Sequence, residues 1–166
     1  DIPMIHSPRA SFVTFLYSIL NIFEDILPIK KTEVSQSLEK LDQLQKRINS
    51  SNLIEDNLAL DLAKKIDSRP LIYYPDGLRA AAIRFKNSLQ ENAKIHASVE
   101  DVIEASHNSI STWENKNNLK PILLQGSDDY LKTKERWEII KEYFRTKNID
   151  FQEVYSVQGN IISKLV

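Results

Sequence analysis

Two kinds of hydrophobic periodicity divide the chain. Over the first 68 residues, apolar positions return every three or four residues, which is typical of amphipathic helices. The first predicted helix opens at Ser7-Pro8 and carries apolar residues on more than one side as far as Leu27. We therefore expect it to be buried at a domain or subunit contact. Further helices are predicted over 33–48 and around 58–66.

From residue 69 onward, short apolar runs alternate with helical segments. Four strands separated by helices predict βαβ units, and hence an α/β fold with a parallel sheet and helices on its faces. We interpret residues 1–68 as a helical lead-in and residues 69–166 as the α/β domain, whose final helical pattern is cut off at Val166. The predicted strands are 70–74, 94–97, 122–124 and 151–157, and the helices between them are 78–89, 99–106 and 128–147.

Composition narrows the class of protein. The chain has 166 residues, 42% of them hydrophobic and 27% charged, as expected for one compact globular domain. A net charge of -1 lacks the basic excess of a nucleic-acid binder, so nucleic acid is not an expected partner. Because the chain has no cysteine, it has no thiolate nucleophile or disulfide, and a reducing cytoplasm is the expected compartment.

The N-terminal region predicts neither a signal peptide nor a membrane span. It lacks a basic segment followed by an apolar stretch and a cleavage site. The most apolar window, 12–29, is interrupted by Glu24-Asp25 and ended by Pro28, whereas a span needs about 20 apolar residues. We expect no membrane association.

Two strand-to-helix loops, 74–77 and 126–129, lie where α/β sheets bind ligands and where helix N-termini receive phosphate. Neither has the glycine density of a phosphate-binding loop, and both carry aspartate. We therefore predict that Asp76 and the aspartates of 126–129 are helix caps. The chain contains no Walker or dinucleotide fingerprint.

The histidines offer a catalytic candidate but no metal site. His6, His96 and His107 share no metal-ligand spacing with one another or with carboxylates. We predict no metal and no cofactor. Each histidine taken alone is more often structural than catalytic.

Three motifs favour a catalytic role over a structural one. Residues 84–94 read R-F-K-N-S-L-Q-E-N-A-K, residues 106–114 read S-H-N-S-I-S-T-W-E, and Pro8-Arg9 precedes them. The chain resembles the C-terminal half of bifunctional phosphoglucose/phosphomannose isomerases of the sugar isomerase (SIS) superfamily. There a basic-aromatic helix ends in N-E-N-A-K and is followed by N-H-N-E and an apolar-x-G-W-E stretch. The sixteen-residue gap from Glu91 to His107 also fits, and the resemblance covers essentially the whole chain.

The resemblance implies a fold and a chemistry. The fold would be a three-layer α/β/α sandwich with a parallel sheet of four to five strands, truncated at its C-terminal end and lacking the family's N-terminal SIS domain. The reaction would interconvert glucose 6-phosphate, and mannose 6-phosphate as a further candidate, with fructose 6-phosphate through a cis-enediol. The fragment alone would be inactive. No cofactor is implied.

The resemblance also assigns roles to three residues. Glu91 would move the proton between C1 and C2, helped by a helix C-terminus that raises its basicity. His107 would open the sugar ring, reaching the site from the other subunit of a homodimer. Arg9 would bind the substrate and stabilise the enediolate.

Departures from the motifs keep a second hypothesis open. Gln90 stands where the family usually has Asn, Ser106 where it often has Asn, Ser109 in place of Glu, and Thr112 in place of Gly. They suggest a divergent member of the family. The alternative is a non-catalytic SIS module for phosphosugar sensing or dimerisation, since one fold hosts both functions.

Overall fold

A computed structural model describes residues 7, 10–54 and 56–166. Within these ranges, four strands form one sheet in which every pair of neighbours is parallel, in the order β2-β1-β3-β4. The predicted α/β fold with a parallel sheet is confirmed. The strands are β1 Arg69–Tyr74, β2 Ser98–Asp101, β3 Leu119–Gln125 and β4 Gln152–Tyr155.

Helices precede, connect and follow the strands. Two shorter elements are important for the site: a π-helical turn over Leu89–Ala93, called the π turn below, and a 3-10 helix over Ser109–Glu114. The α-helices of the described ranges are α1 Phe12–Ile22, α2 Lys31–Ile48, α3 Leu58–Lys65, α4 Arg79–Ser88, α5 Val102–His107, α6 Leu131–Thr146 and α7 Ile161–Leu165.

The sheet has a hydrophobic core on each face, because successive side chains of a strand point to opposite sides. Leu71 and Tyr73 of β1 belong to one core together with residues of α5, the 3-10 helix and α6. Ile72 belongs to the other core, with residues of α4, and Leu62 of α3 packs against it. We call these two sides the α6 face and the α4 face. The predicted three-layer α/β/α arrangement is therefore confirmed.

Hydrogen bonds connect the N-terminal helices to the α/β unit. The Asn160 amide donates to the carbonyl oxygen of Glu33 in α2 at 2.9 Å, while its oxygen caps α7 by accepting from the Ile162 and Ser163 N–H groups. Tyr17 of α1 and Ser37 of α2 share a 2.7 Å hydrogen bond between their hydroxyls. The chain around Asn160 thus joins one end of the sheet domain to α2.

The first helix differs from its prediction in length and in burial. It begins at Phe12 rather than at Ser7-Pro8 and ends at Ile22 rather than near Leu27. None of its residues is fully buried, and Ile22 is 65% exposed. Its all-round apolar pattern had favoured burial, but in this chain no described element covers its outer side.

The second strand also differs from its prediction. Residues 94–97 were predicted as a strand but form a connection, in which Lys94 adopts a left-handed conformation with φ 60°. The strand lies at Ser98–Asp101 instead, and α5 consequently begins at Val102 rather than Val99. An edge strand of four residues whose only aliphatic side chain is Val99 gives no alternating pattern to detect.

Candidate active site

Glu91 lies in the π turn at the C-terminal end of α4. Leu89, at the start of the turn, packs against the core of the α4 face, whereas Glu91 is exposed. The turn ends at Lys94, whose ammonium donates a 2.6 Å hydrogen bond to the backbone carbonyl oxygen of Glu91. The motif that predicted a catalytic carboxylate therefore folds as a locally widened helix end, a feature often found at functional sites.

The topology also determines which end of the sheet carries Glu91. A helix that connects two parallel strands returns the chain from the carboxyl end of the first to the amino end of the second. The π turn follows α4 and precedes β2. Glu91 therefore lies at the amino end of the sheet, where β2 begins. It is not part of the loops at the carboxyl edge, where single α/β domains usually bind ligands.

His107 is the last residue of α5, and its side chain is exposed. The helix begins at Asp101, whose carboxylate accepts from the N–H groups of Ile103 at 2.8 Å and Glu104 at 3.3 Å. It ends at Asn108, whose side chain caps the following 3-10 helix. The structure thus places His107 at the C-terminal end of α5.

One chain does not bring Glu91 and His107 together on one side of the sheet. The π turn packs through Leu89 on the α4 face, whereas α5 packs through Ala105 on the α6 face. The two candidate groups therefore belong to elements that cover opposite faces. Arg9 and His6 lie outside the described residues, and His96 lies in the exposed connection before β2.

The tryptophan of the second motif is part of the core. Trp113 is 7% exposed and donates its indole N–H to the Tyr73 hydroxyl at 2.9 Å. Burial of the phenol raises the pKa of Tyr73 to about 12, although the hydrogen bond from Trp113 acts in the opposite direction. The motif residue thus stabilises the contact between the 3-10 helix and β1, as expected for a core tryptophan.

The glutamate that follows it joins the 3-10 helix to α6. Glu114 accepts hydrogen bonds from the Lys147 ammonium at 2.9 Å and from the Tyr143 hydroxyl at 3.0 Å. The hydrogen bond from Lys147, followed by that from Tyr143, lowers the pKa of Glu114. This residue is therefore held as a carboxylate that fixes the end of the second motif.

A groove that sequence reasoning missed lies between the segment 106–114 and α6, where Ser106, the neighbour of His107 in the chain, is one of the lining residues. Its volume is about 560 Å³, and Ile110, Ile139 and Tyr143 contribute apolar walls. Ile139 is 70% exposed, on the side of α6 away from the buried stripe. The available signal was an apolar residue outside the buried stripe of a largely charged helix. The surface between the 3-10 helix and α6 is therefore concave and partly apolar.

The two strand-to-helix loops are turns without the predicted helix caps. The N-cap of α4 is Leu78 and not Asp76, and the N-cap of α6 is Tyr130; neither helix has a side-chain cap hydrogen bond. Asp129 instead accepts hydrogen bonds from the Gly126 N–H and the Trp137 indole N–H, both at 3.0 Å. Both cap predictions were wrong: the N-cap position of α4 lies two residues after Asp76, and the Asp129 carboxylate bonds backward into its own loop and to the core tryptophan.

The described ranges contain no group of three or more His, Cys, Asp or Glu side chains placed to hold a metal ion. None of their helices combines the length and apolar character that crossing a bilayer requires.

The parallel sheet with helices on both faces, together with the motif-bearing segments on α4 and α5, defines an α/β domain of the sugar isomerase type. A family model described as the bacterial phospho-glucose isomerase C-terminal SIS domain matches residues 55–166. The chain belongs to this family. The matched region contains Glu91 and His107, and it begins just before α3.

Individual relatives also indicate this family. The chain is 33% identical over 113 residues to a bifunctional phosphoglucose/phosphomannose isomerase of Pyrobaculum calidifontis, covering 68% of this chain and 33% of the relative. A protein of the same name from Pyrobaculum aerophilum is 29% identical with the same coverage. The chain thus aligns with about a third of the length of these relatives.

A solved structure supports the fold. A glucose-6-phosphate isomerase like protein from Thermus thermophilus superposes with a TM-score of 0.74 at 17% identity. The superposition covers 97% of this chain and 52% of that one. At this identity the likeness establishes the fold alone.

Proposed function

We propose that this chain serves as the C-terminal domain of an aldose-ketose isomerase that interconverts glucose 6-phosphate and fructose 6-phosphate, with mannose 6-phosphate as a further substrate. Family membership is the observation that carries the proposal, because the matched region includes both motif residues. The relatives named as bifunctional isomerases suggest the two aldose substrates. The absence of cysteine suits the cytoplasm, where glycolysis and gluconeogenesis use these sugars.

The proposed chemistry is a proton transfer through a cis-enediol. Glu91 takes the proton from C2 of the aldose and returns it to C1, while the hydroxyl proton passes from O2 to O1 through the enediol, giving the ketose without any net change in oxidation. Glu91 is exposed at the helix end. Arg9 stabilises the negative charge that develops on the enediolate oxygen.

His107 is the proposed ring-opening group. An imidazole can donate to the ring oxygen and accept from the adjacent hydroxyl near neutral pH. Because α5 and the π turn lie on opposite faces of one sheet, we propose that the Glu91 of one subunit works with the His107 of the other in a homodimer. The non-catalytic SIS module is the competing function, and the following experiment distinguishes the two.

The test measures conversion of fructose 6-phosphate to glucose 6-phosphate by the full-length protein and by its Glu91→Gln variant. We expect the variant to lose at least about 10²–10⁴-fold in kcat with an unchanged circular dichroism spectrum, because the amide cannot accept the proton. Glu104→Gln, an exposed glutamate of α5, is the matched control and retains activity. Comparable turnover by Glu91→Gln would overturn the catalytic role of Glu91, and no turnover by the wild-type protein would favour the non-catalytic module.

A further inference from the structure

A side-chain amide connects the π turn to the sheet. Gln90, next to Glu91, donates from its Nε2 to the backbone carbonyl oxygen of Ala97 at 3.2 Å. Ala97 is 7% exposed and directly precedes β2, whose first residue Ser98 is in register with Leu71 of β1. The acceptor of this hydrogen bond is therefore held by the buried start of a paired strand.

The turn needs such support because a π-helical turn is rare and usually limited to a single turn. Its beginning is held by Leu89, which packs on the α4 face, and its end by the bond from the Lys94 ammonium to the Glu91 carbonyl. Gln90 supplies the connection from the middle of the turn to the sheet. Of the side-chain hydrogen bonds described in the turn, this one reaches the strand region.

We propose that Gln90 is a positioning residue for Glu91: its amide ties the π turn to Ala97 and thereby sets the direction in which the Glu91 carboxylate leaves the backbone. The inference rests on the proposed function, since direction matters only if Glu91 meets a substrate. Misplacement of a reacting group by about 1 Å can reduce a rate by about 100-fold, so a single tie of this kind affects turnover.

The length of the side chain is part of the inference. An asparagine at position 90 has one methylene less, so its amide does not reach the Ala97 carbonyl unless the turn moves toward β2. The glutamine found here matches the span that this turn presents. We therefore expect Gln90→Asn to lose the hydrogen bond to the Ala97 carbonyl oxygen.

The decisive variant is Gln90→Met in the full-length protein, which keeps the length and removes the donor. We expect kcat for fructose 6-phosphate to fall about ten-fold or more while KM stays within about two-fold, because the reacting group and not the binding contacts is displaced. Gln43→Met is the matched control. Gln43 also donates one amide hydrogen bond, to Glu39 at 3.1 Å, but lies on exposed α2. It should leave both constants unchanged.

The outcomes separate the two proposals. If Glu91→Gln is inactive but Gln90→Met keeps wild-type kcat, the positioning role is wrong and the proposed function stands. If the wild-type protein does not isomerise sugar phosphates, the proposed function is wrong. Amide hydrogen exchange over 89–94 then tests the tie without turnover: faster exchange in Gln90→Met supports it, and exchange equal to wild type overturns it.

Discussion

The hydrogen bond between Trp113 and Tyr73 shows how a single buried polar contact determines the position of a motif. The two side chains are 7% and 1% exposed, so neither the indole N–H nor the phenol has ready access to water. A buried donor without an acceptor costs about 1–3 kcal/mol. The contact therefore fixes the 3-10 helix, and with it the segment after His107, against β1.

Replacing Tyr73 by phenylalanine tests this contact. We expect Tyr73→Phe to lower the free energy of unfolding by about 1–3 kcal/mol in urea titrations, because the Trp113 indole loses its acceptor. Tyr130→Phe, at a tyrosine that is 74% exposed, should change it by less than about 0.5 kcal/mol. Equal stabilities of the two variants would show that the contact contributes nothing.

The same residue predicts an alkaline dependence of stability. The pKa of Tyr73 rises from 10.0 to about 12 on folding, mainly through burial, so the folded chain retains a proton that the unfolded chain releases. The wild-type free energy of unfolding should therefore fall as the pH increases from 10 to 12, more steeply than that of Tyr73→Phe. Tyr143 and Tyr155 also have raised pKa values but remain in both proteins. Parallel slopes would contradict the assignment.

At the level of elements, the contacts of α7 determine whether the N-terminal helices act with the sheet. The Asn160 side chain makes two kinds of contact. Its oxygen caps α7, and its amide nitrogen donates a hydrogen bond to the Glu33 carbonyl oxygen of α2. The nearby Lys164 ammonium bonds Asp128 in the loop after β3 at 2.8 Å and lowers the pKa of that carboxyl. Helix α7 thus connects α2 to the loop at the end of a central strand.

Two variants of Asn160 separate the cap from the inter-helix bond. Asn160→Ala removes both and should lower the unfolding free energy by about 0.5–2 kcal/mol, the usual range for a lost N-cap. Asn160→Asp keeps the acceptor and removes the donor to Glu33, so it isolates the bond between the helices. We expect it to speed proteolytic cleavage between α2 and α3 while the urea midpoint changes less than in Asn160→Ala. Identical cleavage in wild type and Asn160→Asp would contradict a role in docking α2.

The elements also show what the sequence could predict. Strand β3 and helix α6 were predicted within a few residues because long apolar periods are local signals. Strand β2 was misplaced, since a short edge strand is defined by pairing with β1 and not by its own side chains. For the site, the motifs predicted Glu91 and His107 as catalytic candidates. The π turn and the hydrogen bond from Gln90 to Ala97 depend on tertiary contacts, which no local sequence pattern predicts.

At the scale of the whole molecule, the sheet separates the two candidate groups. Glu91 belongs to the α4 face and His107 to the α6 face, and the groove lies between the segment 106–114 and α6. The chain aligns with about a third of the length of its relatives. In a two-fold pair with shared sites, the same combination occurs twice: Glu91 of each subunit would work with His107 of the other.

Complementation between two inactive variants tests this arrangement most directly. The full-length Glu91→Gln and His107→Ala proteins are denatured together, refolded as a mixture and assayed for conversion of fructose 6-phosphate. If each site takes Glu91 from one subunit and His107 from the other, mixed dimers contain one intact site, and random pairing restores about a quarter of wild-type turnover. A mixture no more active than either variant alone would contradict the account of a shared site.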